Sequence, residues 1–179
     1  FTRSMVVSLP LAILLTLILA SLLLRSFRYA LVSVIPIAFV VTGVYAFMTF
    51  AGYTVNVVTA TIAAIAVGVG IDFSTHFTAR YREELQRQPE RLSAVGRAGE
   101  GTGGALVLSA LTSVLGFAVM AFAPNPIFAT FGVLTSVMIG LALIVALVVL
   151  PSMLVLATPR PAKRAPVADL ATDVVDEPE

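Results

Sequence analysis

Five long apolar stretches, separated by short polar ones, run the length of the chain. They cover roughly residues 5–24, 29–50, 55–79, 104–122 and 127–156. Each reaches the ~20 residues that a helix rising 1.5 Å per residue needs to cross about 30 Å of hydrocarbon. The pattern predicts an all-α transmembrane fold, a five-helix bundle over residues 5–157. The breaks have turn chemistry. Arg25 and Arg28 interrupt the first two spans, Ala51-Gly52-Tyr53-Thr54 forms an uncharged turn, and Ala123-Pro124-Asn125-Pro126 separates the last two. Pro10 lies near the outer end of the first span, where a broken backbone bond is tolerated.

Residues 80–100 are different in kind. Tyr81, Leu85, Leu92 and Val95 fall near one face of a helix, and Glu83 precedes Arg87 by four residues, the favourable order for an ion pair. Pro89 is expected to end one helix and open another. This stretch reads as an amphipathic connector lying on the membrane surface. Residues 158–179 read as a basic anchor (Arg160, Lys163, Arg164) followed by a disordered acidic tail.

Composition sharpens the membrane reading. Of 179 residues, 59% are hydrophobic and 12% charged, with a mean hydropathy of +1.02. A soluble domain carries about 25% charged residues. The net charge of +1 says nothing about partners. No basic stripe with interleaved aromatics supports nucleic-acid binding. The absence of cysteine removes disulfides and thiolate metal sites. The chain starts with Phe, and the first apolar run ends at Arg25 without a small-residue cleavage signature. The expectation is a fragment whose N-terminal portion is missing.

The positive charges set an orientation. Arg25, Arg28, Arg80, Arg82, Arg87, Arg91, Arg97, Arg160, Lys163 and Arg164 fall on one side of the predicted bundle, and Arg3 alone on the other. By the positive-inside rule the N-terminus lies outside and the C-terminus in the cytoplasm. The location expected is the inner or plasma membrane, crossed several times.

Nine of the ten acidic residues lie in the connector or the tail. The tenth, Asp72, lies inside the third span. An ionised Asp deep in hydrocarbon costs ~3 kcal/mol or more. It persists only against a partner, a water cavity or a proton. Burial disfavours the charged form, so such a carboxyl can load and release protons. A neutral Asp hydrogen-bonded between helices is the structural alternative.

Its neighbours fit a relay. Gly68 and Gly70, about one turn earlier, let another helix approach closely. His76, the only histidine, shares a face with Asp72 at i+4, and Arg80 is expected to continue that stripe to the cytoplasmic mouth. His76 either passes protons to Asp72 or is simply solvated. Ser109, Thr112 and Ser113 cluster on one face of the fourth span. They could support Asp72 or its waters, or serve as ordinary helix-to-helix bonds.

Two motifs are discounted. Gly99-Glu-Gly101-Thr-Gly103-Gly104 lacks the Lys-Ser/Thr ending of a phosphate loop and opens a membrane helix. Gly68-Val-Gly70-Ile-Asp72 approaches an aspartyl-protease signature with one residue too many, and no second intramembrane carboxylate completes a dyad. The chain is not expected to be an enzyme.

Gly68-Val-Gly-Ile-Asp72-Phe-Ser-Thr-His76-Phe-Thr-Ala-Arg80-Tyr-Arg-Glu-Glu84 resembles the tenth transmembrane helix of the RND superfamily, in its MMPL-type and hydrophobe-exporter branches. Ala94-Val-Gly-Arg-Ala, Leu108-Ser-Ala-Leu-Thr112-Ser-Val-Leu-Gly116-Phe, Phe131-Gly-Val-Leu-Thr and Leu150-Pro151-Ser resemble its eleventh and twelfth helices. The resemblance implies helices eight to twelve of a protein built from two six-helix halves, each with a large extracytoplasmic domain. It implies a proton-driven exporter of lipids or hydrophobic and amphiphilic compounds. Asp72 would be the proton-carrying carboxylate, with His76, Ser109, Thr112 and Ser113 in the relay. In MMPL-type members an Asp-Tyr pair on this helix faces a matching pair in the other half, and here Phe73 replaces the tyrosine. Protons are the coupling ion and no cofactor is expected. The implied partners are membrane lipids, the missing half and its extracytoplasmic domains, and the transported molecule, and an oligomer is compatible. The same unit resembles the sterol-sensing domain, whose alternative role is lipid binding without proton flux.

Overall fold

A computed structural model describes residues 2–54, 56–87 and 90–159. Its elements are helices throughout: α1 (Thr2–Leu24), α2 (Phe27–Phe50), α3 (Val57–Arg87), α4 (Arg91–Ala98), α5 (Gly104–Met120), α6 (Pro126–Ile144) and α7 (Leu150–Ala157). Two π turns, Gly99–Gly103 and Val145–Val149, join α4 to α5 and α6 to α7. The stretches Phe27–Phe50, Thr59–Arg87, Arg91–Met120 and Pro126–Ala157 are each long and apolar enough to cross a membrane, and α1 adds apolar residues Leu14–Leu24.

The turns form where local chemistry ends a helix. Gly52 adopts φ +73°, a left-handed conformation without steric cost for glycine. Its N–H bonds the Thr49 carbonyl while the Tyr53 N–H reaches back to Met48 at 2.9 Å. This is the Schellman arrangement that closes a helix C-terminus. Tyr53 also stacks on Phe47, with ring centroids 6.5 Å apart. Asn56 then caps α3 reciprocally. Its Oδ1 accepts from the Thr59 N–H at 3.0 Å, and the Thr59 hydroxyl oxygen accepts from the Asn56 N–H at 2.8 Å. Asn125 accepts from Ile127 N–H at 2.9 Å to start α6, with Pro126 at the first helical position, where its missing N–H is no loss.

The core lies where α2, α3, α6 and α7 meet. Met48, Ile62, Phe77, Tyr81, Leu134, Met138, Leu150 and Leu154 are fully buried there. α5 packs chiefly on α6, through the edge contact of Phe117 with Phe131 and around Gly132. A Cβ on Gly132 would lie 2.6 Å from the Phe117 carbonyl and from Met120 Cβ, so this position admits only glycine without backbone movement. The second π turn directly precedes Pro151, which supplies no N–H to the helix ladder.

The connector is helical, and its two helices prolong the neighbouring spans. α3 does not stop where the apolar run ends near residue 79; it continues to Arg87. α4 runs through the glycine-rich π turn into α5 as one helix, Arg91–Met120. Hydropathy marks the edge of the hydrocarbon, whereas a helix ends where its backbone bonds do. Leu92 stands 71% exposed and does not join the buried Tyr81. The expected break at Pro89 lies outside the described residues, as does the expected tail beyond residue 159.

One end of the bundle gathers the charge. The Arg91 guanidinium donates to the carbonyls of Val155 at 2.9 Å and Thr158 at 3.0 Å. The hydroxyls of Tyr81 and Tyr29 meet Thr158 Oγ1 at 2.9 and 3.4 Å. Arg82 stands over the Tyr29 ring, 5.0 Å from its centroid. Glu83 bridges Arg80 at 2.8 Å and Arg87 at 2.7 Å, and the buried Glu84 pairs with Arg80 at 2.8 Å. Neighbouring charges in the sequence are therefore neighbours in space.

Candidate functional site

α3 is 31 residues long, about 46 Å at 1.5 Å per residue. Asp72 is its middle residue, fifteen positions from Val57 and fifteen from Arg87. The carboxylate is therefore carried ~22 Å from either end of the helix.

Two faces divide this helix. Ile62, Ala66, Phe73, Phe77 and Tyr81 point into the core. Ala64, Gly68, Asp72, His76, Ala79 and Glu83 are exposed. At ~100° per residue these exposed positions fall within one stripe. Asp72 and His76 thus share an open face one turn apart. Among the described residues no side chain hydrogen-bonds the Asp72 carboxylate.

The two glycines serve different faces. Gly70 is buried against α2, where an added Cβ would lie 3.5 Å from Ile37 Cγ1. Gly68 lies on the open face, and a Cβ there would meet nothing within 4 Å. Phe73 belongs to the core at 7% exposure, so position 73 turns away from the face of Asp72.

Arg80 does not continue the stripe. Eight residues after Asp72, it is rotated by about 80° from it. Its guanidinium pairs with Glu83 and Glu84 and lies along the first π turn, where a Cβ on Gly101 would stand 3.2 Å from Nε. The outward positions at this level are Ala79 and Glu83.

The hydroxyls of α5 also lie apart from Asp72, because α5 is held on α6. Thr112 donates to the Leu108 carbonyl of its own helix at 2.8 Å. Ser109 is exposed and Ser113 half-buried. The hydroxyl that bonds the backbone of Asp72 is that of Thr75, which the sequence reading did not single out. It donates to the Ile71 carbonyl at 2.8 Å and to the Asp72 carbonyl at 3.2 Å. Such back-bonding competes with the helix ladder and favours a bend at that level. A second unforeseen pair is Ser33 on α2 with Thr78 on α3, buried oxygen to oxygen at 2.8 Å. The signal available was the run of hydroxyl residues around Asp72, but only the fold decides which of them turn inward.

The sequence matches the MMPL family over residues 1–172. The chain belongs to the MMPL family. It is 31% identical over 162 residues, 87% of its length, to the apo-petrobactin exporter of Bacillus anthracis, of which it covers 22%. It is 31% identical over 135 residues, 73% of its length, to the membrane protein MJ1562 of Methanocaldococcus jannaschii, of which it covers 34%. It is 34% identical over 114 residues, 63% of its length, to the membrane protein ActII-3 of Streptomyces coelicolor, of which it covers 16%. The chain thus spans about a third of one of these relatives and less of the other two. Family and helices together identify a multi-pass membrane protein.

Proposed function

We propose that this MMPL chain forms one membrane half of a proton-driven exporter of lipids or other hydrophobic, amphiphilic compounds. Asp72 is the carboxylate that loads and releases the proton. The observation that carries this reading is the position of Asp72: mid-helix, on an open face, its carboxylate without a side-chain hydrogen bond from any described residue. A charge so placed is costly in hydrocarbon and calls for a partner, water or a proton. Membership of a family that includes a named exporter supports the transport class.

In this mechanism the open stripe of α3 closes against the other membrane half. Gly68, lacking a Cβ, lets an opposing helix come near Asp72. His76 lies between Asp72 and the charge-rich end, where it can exchange protons with the cytoplasm. The proton must bind one conformer more tightly than another to shift their populations. A carboxylate whose surroundings differ between two helix packings meets that condition. The extracytoplasmic domains then handle the transported molecule.

The test is infrared titration of the full-length protein in membranes, with Asp72→Asn as the blank. A carboxyl band of Asp72 that appears and disappears across the working pH range supports the relay. A band fixed in one form throughout that range overturns it and favours lipid sensing of the sterol-sensing type.

A further inference from the structure

Two grooves meet at the turn between α1 and α2. The first is apolar and encloses about 450 Å³, lined by Leu14, Leu17, Ile18, Ser21, Leu22, Arg25 and Phe27. The second, of about 260 Å³, has mixed walls: Arg25, Arg82 and Glu83 stand beside Leu23, Leu24 and Ala79. Arg25 belongs to both. From Leu14 to Arg25 the first groove runs eleven residues, ~16 Å along the helix, which is about half of the ~30 Å hydrocarbon thickness. It therefore has the depth of one leaflet and opens at its charged end on two guanidinium groups.

Those two guanidinium groups are not neutralised from within. Glu83 and Glu84 are engaged by Arg80 and Arg87. Among the described residues, Arg25 and Arg82 have no carboxylate within 4.0 Å. Arg82 is instead held over the face of Tyr29, which fixes its direction without cancelling its charge. Arg25 adopts φ +45°, rare for a residue with a side chain. That backbone belongs to the Schellman turn that ends α1, in which the Ser26 N–H bonds the Ser21 carbonyl and the Arg25 N–H the Leu22 carbonyl, both at 3.3 Å. The half-buried Ser21 lies one turn deeper, and no described residue engages its hydroxyl.

We infer that these joined grooves form a binding site for one anionic phospholipid of the leaflet facing the basic end. The headgroup phosphate lies between Arg25 and Arg82, where guanidinium forks match its oxygens. Ser21 can donate to an ester carbonyl, and one acyl chain lies along Leu22, Ile18 and Leu14. Basic pockets between membrane helices at this face suit anionic headgroups in general. The site lies at the α1–α2 turn and does not depend on proton carriage by Asp72.

The test uses the full-length protein in nanodiscs. Phosphatidylglycerol and phosphatidylcholine carrying the same photoreactive acyl chain are offered at equal mole fraction, and adducts are mapped by peptide mass spectrometry. Phosphatidylglycerol should label residues 14–27 roughly thirtyfold more than phosphatidylcholine, as two interfacial arginines imply. The double variant R25Q/R82Q should label equally with both lipids, and R25K/R82K should retain most of the preference because the charge remains. Excess glycerol phosphate should not compete. Equal labelling of the unaltered protein, adducts confined to other segments, or full competition by glycerol phosphate would each overturn the site. So would an undiminished preference in a monodisperse R25Q/R82Q protein.

Discussion

The two faces of α3 treat polar groups in opposite ways. On the inner face two hydroxyls of α3 are bonded by partners outside that helix. Ser33 and Thr78 bond each other at 2.8 Å, and Tyr81 bonds Thr158 at 2.9 Å. On the outer face Asp72 and His76 are left open. A polar group closed within its own fold contributes to holding that fold. One left open in the middle of a membrane helix requires something the fold does not contain. Direction on the helix thus separates polar groups bonded within the fold from those left open.

Asp72 is where the two faces should differ most. Asp72→Asn should reduce proton-driven export by the full-length protein at least a hundredfold, with insertion and thermal stability unchanged, as read by vesicle transport and melting assays. Substantial export by that variant would remove the functional meaning of the outer face. The glycines provide the next contrast. Gly70→Leu should destabilise the protein by about 1–3 kcal/mol, because the side chain meets Ile37 on α2 within the same chain. Gly68→Leu should lose transport before it loses stability. If both variants melt early and equally, Gly68 is part of the internal packing and the division of faces fails. A smaller change is expected on the inner face. Thr78→Val removes one member of a buried hydroxyl pair and should cost about 1 kcal/mol in denaturation, with export retained. His76→Gln should slow export several-fold and alter its pH profile without abolishing it. An unaltered profile would mean that His76 is merely solvated.

Much of this architecture was legible in the sequence because hydrocarbon imposes a strict grammar. Apolar length locates the spans, Gly52 and Asn125-Pro126 mark turns whose backbone needs are local, and one acidic residue among apolar neighbours marks itself. What could not be read depends on rotation and on neighbours. Arg80 looked like the next step from Asp72, yet its rotation carries it to Glu84 and Gly101. The hydroxyls of α5 cluster on one face in the sequence. Phe117, Phe131 and Gly132 hold that helix on α6, and nothing in a single helix specifies which neighbour it will choose. Leu92 shares a nominal face with Tyr81, but Glu90 before α4 is extended, so the periodicity does not carry across.

The convergence on Thr158 has a mechanical side. Tyr29 from the start of α2, Tyr81 near the end of α3 and Arg91 from the start of α4 all bind the last turn after α7. Helices fastened together at one end can separate only toward the other, so this junction acts as a pivot and each helix as a lever. Tyr81 lies nine residues beyond Asp72, a lever arm of ~13 Å, over which a tilt of about 5° displaces the carboxylate by ~1 Å. A displacement of that size is enough to make or break a hydrogen bond across the outer face.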